Sequence, residues 1–288
     1  MGFEDPERSA IRQVDRAHSS PEYLHPVVEK AYAKATALFE RDAIQPDAFV
    51  PPYDARQVAE DKETVKRLES KFGSEDLVHK KYADVLEAII YEHIEQSDWF
   101  GPTAQTIKTS KYDDYVNGID LVTEFSNDDQ SLTHLGLGID VTFGTTAMHK
   151  KFQRIREEIS TGKLATVKYF ESERSPHKGI YRDMPRVVIG AEREHITELA
   201  ARWMDPKMNR ELATHPVQAM LLDEIEAQLS GFRQYARTMN QARLIPIFDR
   251  QLAIIKKIRV EKSRTVKNPW PDDRVFGAIR GELDFFRS

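Results

Sequence analysis

Residues 115–125, YVNGIDLVTEF, and residues 134–144, HLGLGIDVTFG, each place one aspartate directly after a Gly-Ile pair. Side chains alternate between the two faces of a strand. In the second run that alternation puts Leu135, Leu137, Ile139, Val141 and Phe143 on one apolar face. Gly136, Gly138, Asp140, Thr142 and Gly144 fall on the other. In the first run Ile119, Leu121 and Phe125 share a face, opposite Gly118, Asp120, Val122 and Glu124. Hairpin pairing around SNDDQS is expected to bring Asp120 and Asp140 out on the glycine-lined side, where a metal ion or a ligand can approach the backbone closely.

Working outward, SEDLVHKKYADVLEAIIYEHIEQ carries a capping serine, acids in its first turn and apolar residues at helical spacing, which predicts a helix over 75–96. The segment 98–110 reads as a turn and a short strand. After the aspartate strands, TAMHKKFQRIREEIST predicts a helix over 146–161, stopped by Gly162. Strands are expected at 164–172 and at 185–190, with an exposed polar loop between them. Beyond residue 191 the pattern turns helical, over 191–204, 216–240 and 242–262, with a last short helix after NPWPDD. Residues 1–74 are proline-rich and read as an N-terminal helical arm, with helices at 26–41 and 57–72. The organisation expected is therefore an arm over 1–74, an α/β core over 75–190 and a helical region over 191–288 packed on that core.

A helix, three antiparallel strands with an acid on the second and another on the third, and then a helix and a further strand resemble the PD-(D/E)XK nuclease superfamily. The resemblance covers about 75–172 and implies a restriction-endonuclease-like mixed sheet flanked by helical extensions. It matches Asp120 to the aspartate of the second core strand and Asp140-Val141-Thr142 to the (D/E)-x-K tripeptide of the third. It implies that Asp120 and Asp140 hold Mg²⁺ or Mn²⁺ for the hydrolysis of a phosphodiester bond in DNA or RNA. Thr142 stands where the family has its lysine. The resemblance allows an amine from the following helix to serve instead, so Lys150 and Lys151 are candidates, with Lys168 on the next strand a further one.

Such nucleases also use a glutamate from the helix before the strands. At 100° per residue from Val78, the apolar stripe centres near about 40°, with Glu92 near about 320° and Glu87 near about 180°. Glu92 is thus expected to border the site and to be a third metal ligand, and Glu87 to point away. His93, inside the stripe, is expected to be a hydrogen-bonded core histidine. A strand aspartate can also cap a turn or pair with a lysine. Thr142 in the place of the lysine motivates a second reading of the function beside the first. In it a catalytically inactive nuclease-like fold serves as a nucleic-acid or protein binding module, its helical flanks forming a homo-oligomer or partner interface.

Composition narrows the remaining choices. At 40% hydrophobic and 31% charged residues the chain is that of an ordinary globular protein. The absence of cysteine excludes disulfides, zinc-thiolate sites and thiol nucleophiles. No apolar run is long enough for a membrane helix and the polar N-terminus is unlike a signal peptide, so a cytoplasmic protein without a membrane partner is expected. A net charge of −5 does not announce a nucleic-acid binder, but the distribution is uneven. Between Arg250 and Lys267, seven basic residues face Glu261 alone, and Lys150, Lys151, Arg154 and Arg156 form a second basic group. Phosphate-loop, HExxH, GxSxG and calcium-loop motifs are absent.

Overall fold

The computed structural model describes residues 24–71, 74–127, 131–140, 146–266 and 273–287. Helix α1 (Pro26–Asp42) starts where His25 Nδ1 accepts the Val27 N–H and Pro26 presets the first turn. Helix α2 (Ala55–Glu69) starts at Asp54, whose carboxylate accepts the Arg56 N–H. Helix α3 (Ser74–Gln96) buries Tyr82, Val85, Leu86, Ile89, Ile90 and Ile94, and α1 buries Val28, Ala31, Ala35 and Leu38. Both sets belong to one hydrophobic core, so residues 26–42 are built into the body of the molecule.

The main sheet has four strands, β1 (Ala104–Lys108), β2 (Leu121–Ser126), β3 (Leu132–Asp140) and β6 (Arg186–Gly190), in that order. The first three form an antiparallel meander, with Leu121 opposite Leu137, and β6 lies parallel to β3, with Gly138 opposite Val188. Between β3 and β6 the chain runs through helix α4 (Thr146–Thr161) and a separate hairpin of β4 (Ala165–Glu171) and β5 (Lys178–Met184). Two expectations are corrected here. The 164–172 strand pairs with β5 and not with the main sheet, whose fourth strand is 186–190, and the loop expected before that strand is mostly β5 itself. A parallel partner needs a long crossover, and the hairpin is carried inside it.

The sheet is covered on both faces. Leu121, Phe125, Leu135, Leu137 and Val187 join the large core with α3, while Ile107, Ile119 and Val122 pack on Ala165, Val167, Phe170 and Met184 of the hairpin. Helices α5 (Arg193–Met204), α6 (Val217–Thr238), α7 (Ile245–Lys262) and α8 (Arg274–Leu283) extend the large core through Leu199, Leu222, Phe232, Ile255 and Ile279. Among the described residues no helix is long and apolar enough to cross a membrane.

Candidate functional site

The segment between β1 and β2, SKYDDYVNGID, decides where the acids go. Asp113–Asn117 form a single π-helical turn, which Gly118 ends in the left-handed conformation at φ 68°. The two neighbouring aspartates of the turn leave it in different directions. Asp113 is wholly buried and accepts the Lys168 N–H at 2.6 Å and the Tyr169 N–H at 3.0 Å, as well as Ser110 Oγ and Asn117 Nδ2. It stitches β4 to the turn. Asp114 instead comes beside the carboxyl of Asp120, six residues on, because Gly118 folds the chain back. The Asp120 N–H goes to Leu137 O at 2.9 Å although Leu137 is the register partner of Leu121. Two residues of the strand therefore address one, and regular alternation stops at Leu121.

Around this pair lie Glu87 and Asp84 from α3, Lys80 one turn before them, and Lys108 from the end of β1. Lys108 Nζ is 2.7 Å from Glu87 Oε1, 3.6 Å from Asp114 Oδ2 and 3.1 Å from the Asp120 carbonyl. Lys80 Nζ lies 3.0 Å from Asp84 Oδ1. Burial pulls both lysines down but is outweighed by the carboxylates, so both are held above their ordinary value and stay charged. The acids behave oppositely. Burial raises Asp120 well above the usual carboxylate range, with Asp114 and Glu87 adding to the rise and Lys108 opposing it. Burial likewise raises Glu87 and Asp84 against the attraction of Lys108 and Lys80. Four carboxyls face two ammoniums, and this excess of acid, with burial, favours the protonated form of Asp120.

The cluster opens onto a cavity of about 600 Å³. Lys80, Asp84, Glu87, Lys108 and Asp114 line one side, with Lys111, Tyr112 and Tyr115 beside them, and α1, α2 and the 43–46 segment line the other, including Phe39, Lys62 and Lys66. The N-terminal helices, expected to form an arm apart from the core, thus wall the acids.

Of the residues singled out in the sequence, Asp120 is in the cluster. Asp140 ends β3 opposite Gly190, but its carboxylate lies outside the described part of the chain, as does Thr142. Glu92 is not brought to Asp120: its Oε2 accepts the Trp203 indole N–H at 2.6 Å and lies 3.5 Å from Lys34 Nζ, between α1, α3 and α5. The order of preference on this helix is reversed, because β1 lies over the Glu87 side and supplies Lys108 there. His93 is a core residue as expected, with Nδ1 2.9 Å from Ser97 Oγ and its ring stacked on Trp99. Lys168 pairs with Asp61 beside three tyrosine rings.

Lys150 and Lys151 line a second, smaller cavity of about 190 Å³ with Arg154, Arg186, Gly118 and Gly138. The glycine-lined surface is therefore occupied by cations. The basic stretch of α7 is partly neutralised, Arg259 by Asp223 and Lys256 by Glu226 of α6. Sequence reading missed Glu87, Lys108 and Asp114. The adjacent pair Asp113-Asp114, a short turn ahead of Gly118 and Asp120, was the available signal.

The chain matches no family model, no curated protein and no solved structure. Among the described residues no group of three or more histidine, aspartate or glutamate side chains is arranged to hold a metal ion. The donor chemistry at Asp114 and Asp120 nevertheless suits a hard cation: two carboxyls lie together, and a divalent ion would offset the acidic neighbours that raise Asp120.

Proposed function

We propose that this protein is a metal-dependent phosphodiesterase of the nuclease type, acting on DNA or RNA, with Asp120 and Asp114 as the acids that hold Mg²⁺ or Mn²⁺. The observation that carries the reading is the half-buried pair of neighbouring carboxyls, Asp114 and Asp120, at the start of the second strand beside Lys108 and Glu87. It is supported by a mixed four-stranded sheet that follows α3, the kind of sheet that the resemblance to PD-(D/E)XK nucleases implies, although the fourth strand is 186–190 and not the 164–172 strand of that resemblance. Asp140, at the end of the neighbouring strand, completes the ligand set in this reading. When bound, the ion activates a water and offsets charge at the phosphate. Lys108 keeps a permanent ammonium beside the acids and takes the role that the resemblance gives to the lysine replaced by Thr142. Glu87, held by Lys108, orients that amine.

The test is nicking of plasmid and cleavage of single-stranded DNA and RNA with Mg²⁺ or Mn²⁺. Asp120→Asn should abolish cleavage while leaving the fold intact, because the amide keeps the size of the side chain and removes only its charge. Cleavage unchanged in Asp120→Asn, or none of any substrate by the unaltered protein, overturns the proposal. The second reading, an inactive nuclease-like binding module, draws on the internal neutralisation of Glu87 by Lys108 and of Asp84 by Lys80. It expects nucleic-acid binding without cleavage, indifferent to Asp120→Asn.

A further inference from the structure

The wall of the larger cavity is tied to the body of the molecule at several points. The Ile44 N–H donates to the Lys108 carbonyl at 3.2 Å, which fixes the 43–46 segment to β1. A few residues on, Phe49 is wholly buried against Tyr169 of β4, their ring centroids 5.4 Å apart. Helix α2 is held to the same strand by Asp61, which accepts both the Lys168 ammonium and the Tyr169 hydroxyl, and the Tyr53 hydroxyl donates to the Lys168 carbonyl at 2.8 Å. Buried contacts of this kind place the wall among the stable parts of the fold and not among its mobile ones. Behind it, Glu87 and Lys108 keep only 5% and 7% of their side-chain exposure, and Asp114 keeps 20%.

The cavity's size and lining bear on what can enter. A volume of about 600 Å³ is that of a pocket enclosing one small organic ligand. Phe39, Ile44 and Val65 give it apolar surface, and Lys108 Nζ lies 5.1 Å from the Phe39 ring centroid, so the apolar wall meets the cluster there. Five lysines and five acidic residues line it, and three of those lysines pair with nearby acids, Lys62 with Asp47, Lys66 with Glu63 and Lys111 with Glu69. This balance is unlike the basic stripe that holds a duplex backbone. A duplex is also a stiff rod whose bases are stacked and paired, so it cannot send one residue behind a fixed wall. An unpaired nucleotide can enter, since it offers a flat apolar base and a phosphodiester on a flexible backbone.

We propose that this cavity receives one nucleotide of a single strand, its base against Phe39, Ile44 and Val65 and its phosphodiester toward Lys108 and Asp114, so that the substrate class is single-stranded nucleic acid and an uninterrupted duplex is excluded. The inference rests on the function proposed above and narrows it. The neighbouring helices are then a selectivity wall for the acid cluster.

The test measures binding of a labelled single-stranded oligonucleotide and of the same sequence as a blunt linear duplex, by fluorescence anisotropy with Ca²⁺ in place of Mg²⁺. The single strand should bind at least about tenfold more tightly, the worth of one base held on an apolar, aromatic surface. Thr36→Trp fills the cavity from α1, and Ala43→Phe fills it from the residue that ends that helix. Each should weaken single-strand binding by about tenfold. Ala37→Trp, exposed on the same helix and off the cavity wall, should leave it unchanged, and melting temperatures check that all three variants fold. A duplex bound as tightly as the single strand, single-strand affinity unchanged in both filled variants, or an equal loss in Ala37→Trp overturns the inference. An unlabelled dinucleotide that competes as well as the unlabelled oligonucleotide assigns the cavity to small free nucleotides and overturns the polymeric source. Cleavage of linear duplex at the single-strand rate overturns the inference and leaves the proposed activity standing. Cavity-dependent binding of the single strand without cleavage of any substrate sinks that activity and leaves the cavity's preference standing.

Discussion

Gln228 holds the peptide groups of Val188 from both sides, its Oε1 accepting the Val188 N–H at 2.8 Å and its Nε2 donating to the Val188 carbonyl at 2.6 Å. β6 is the outer strand of the main sheet, so its far edge presents backbone groups with no strand to meet them. Helix α6 supplies the substitute. One turn before Gln228, Glu224 Oε2 accepts the Gly190 N–H at 3.0 Å. Two side chains of a helix thereby complete a buried sheet edge and fix α6 against the strand that runs beside the candidate site.

Gln228→Ala should therefore cost far more than its lost contacts. It leaves one buried N–H and one buried C=O without partners, at roughly 1–3 kcal/mol each. We expect a loss of about 3 kcal/mol by urea denaturation, and Gln228→Glu, which keeps only an acceptor, should fall between. A loss below about 1 kcal/mol would show that water or a shift of α6 satisfies the strand edge.

Glu224 makes stability depend on pH. It is wholly buried, burial raises its carboxyl well above the ordinary value of 4.5, and the Gly190 N–H only partly opposes that. Its Oε1 has no hydrogen-bond partner among the described residues. The acid is thus neutral in the folded chain but ionises near its ordinary value in the unfolded one. The unfolded state binds fewer protons above that value, so the contribution is full at low pH and declines as pH rises toward the raised folded value. The slope is about 1.4 kcal/mol per pH unit across that window. Glu224→Gln carries a fixed cost for its unpartnered amide but no such slope. The difference between the two proteins should move in favour of the variant from pH 5 to pH 8; parallel stability curves would mean that the carboxyl is ionised in the fold.

Much of the fold is legible in the sequence, and the reasons are local. The helix over 75–96 is written in its apolar spacing, and the alternation in HLGLGID places Leu135 and Leu137 in the core as expected. What the sequence does not show depends on tertiary neighbours. The strand at 165–171 has the same apolar, β-branched character as one of the main sheet, and only the crossover length and the β5 hairpin decide its partner. The acid site was legible at Asp120 and not at Glu87. A helical wheel finds the most apolar face of α3, but this helix is buried on more than one side, and Glu87 lies on a face buried by β1 and paired there with Lys108. Asp114 was hidden because two consecutive aspartates read as a solvated turn; the π-helical turn and Gly118 send Asp113 to β4 and Asp114 toward Asp120 and Lys108.

The two glutamates of α3 give the sharpest test of that difference. Glu92 accepts the Trp203 indole N–H, so Glu92→Gln retains an acceptor and should be nearly silent, whereas Glu92→Ala leaves a partly buried indole donor unmatched at about 1–3 kcal/mol. Neither change touches the pair at Asp114 and Asp120, and Mn²⁺ binding by calorimetry should be unaltered in both. Glu87→Gln acts on the cluster itself. It removes the partner that lies 2.7 Å from the Lys108 ammonium and an acid that raises Asp120, so the ionised form of Asp120 is favoured. Asp120 should then lose its proton at lower pH, and the pH midpoint of Mn²⁺ binding should shift downward while Glu92→Gln leaves it in place. The opposite pattern, with a midpoint that moves in Glu92→Gln and not in Glu87→Gln, would return the site to the far side of the helix and remove Lys108 from it.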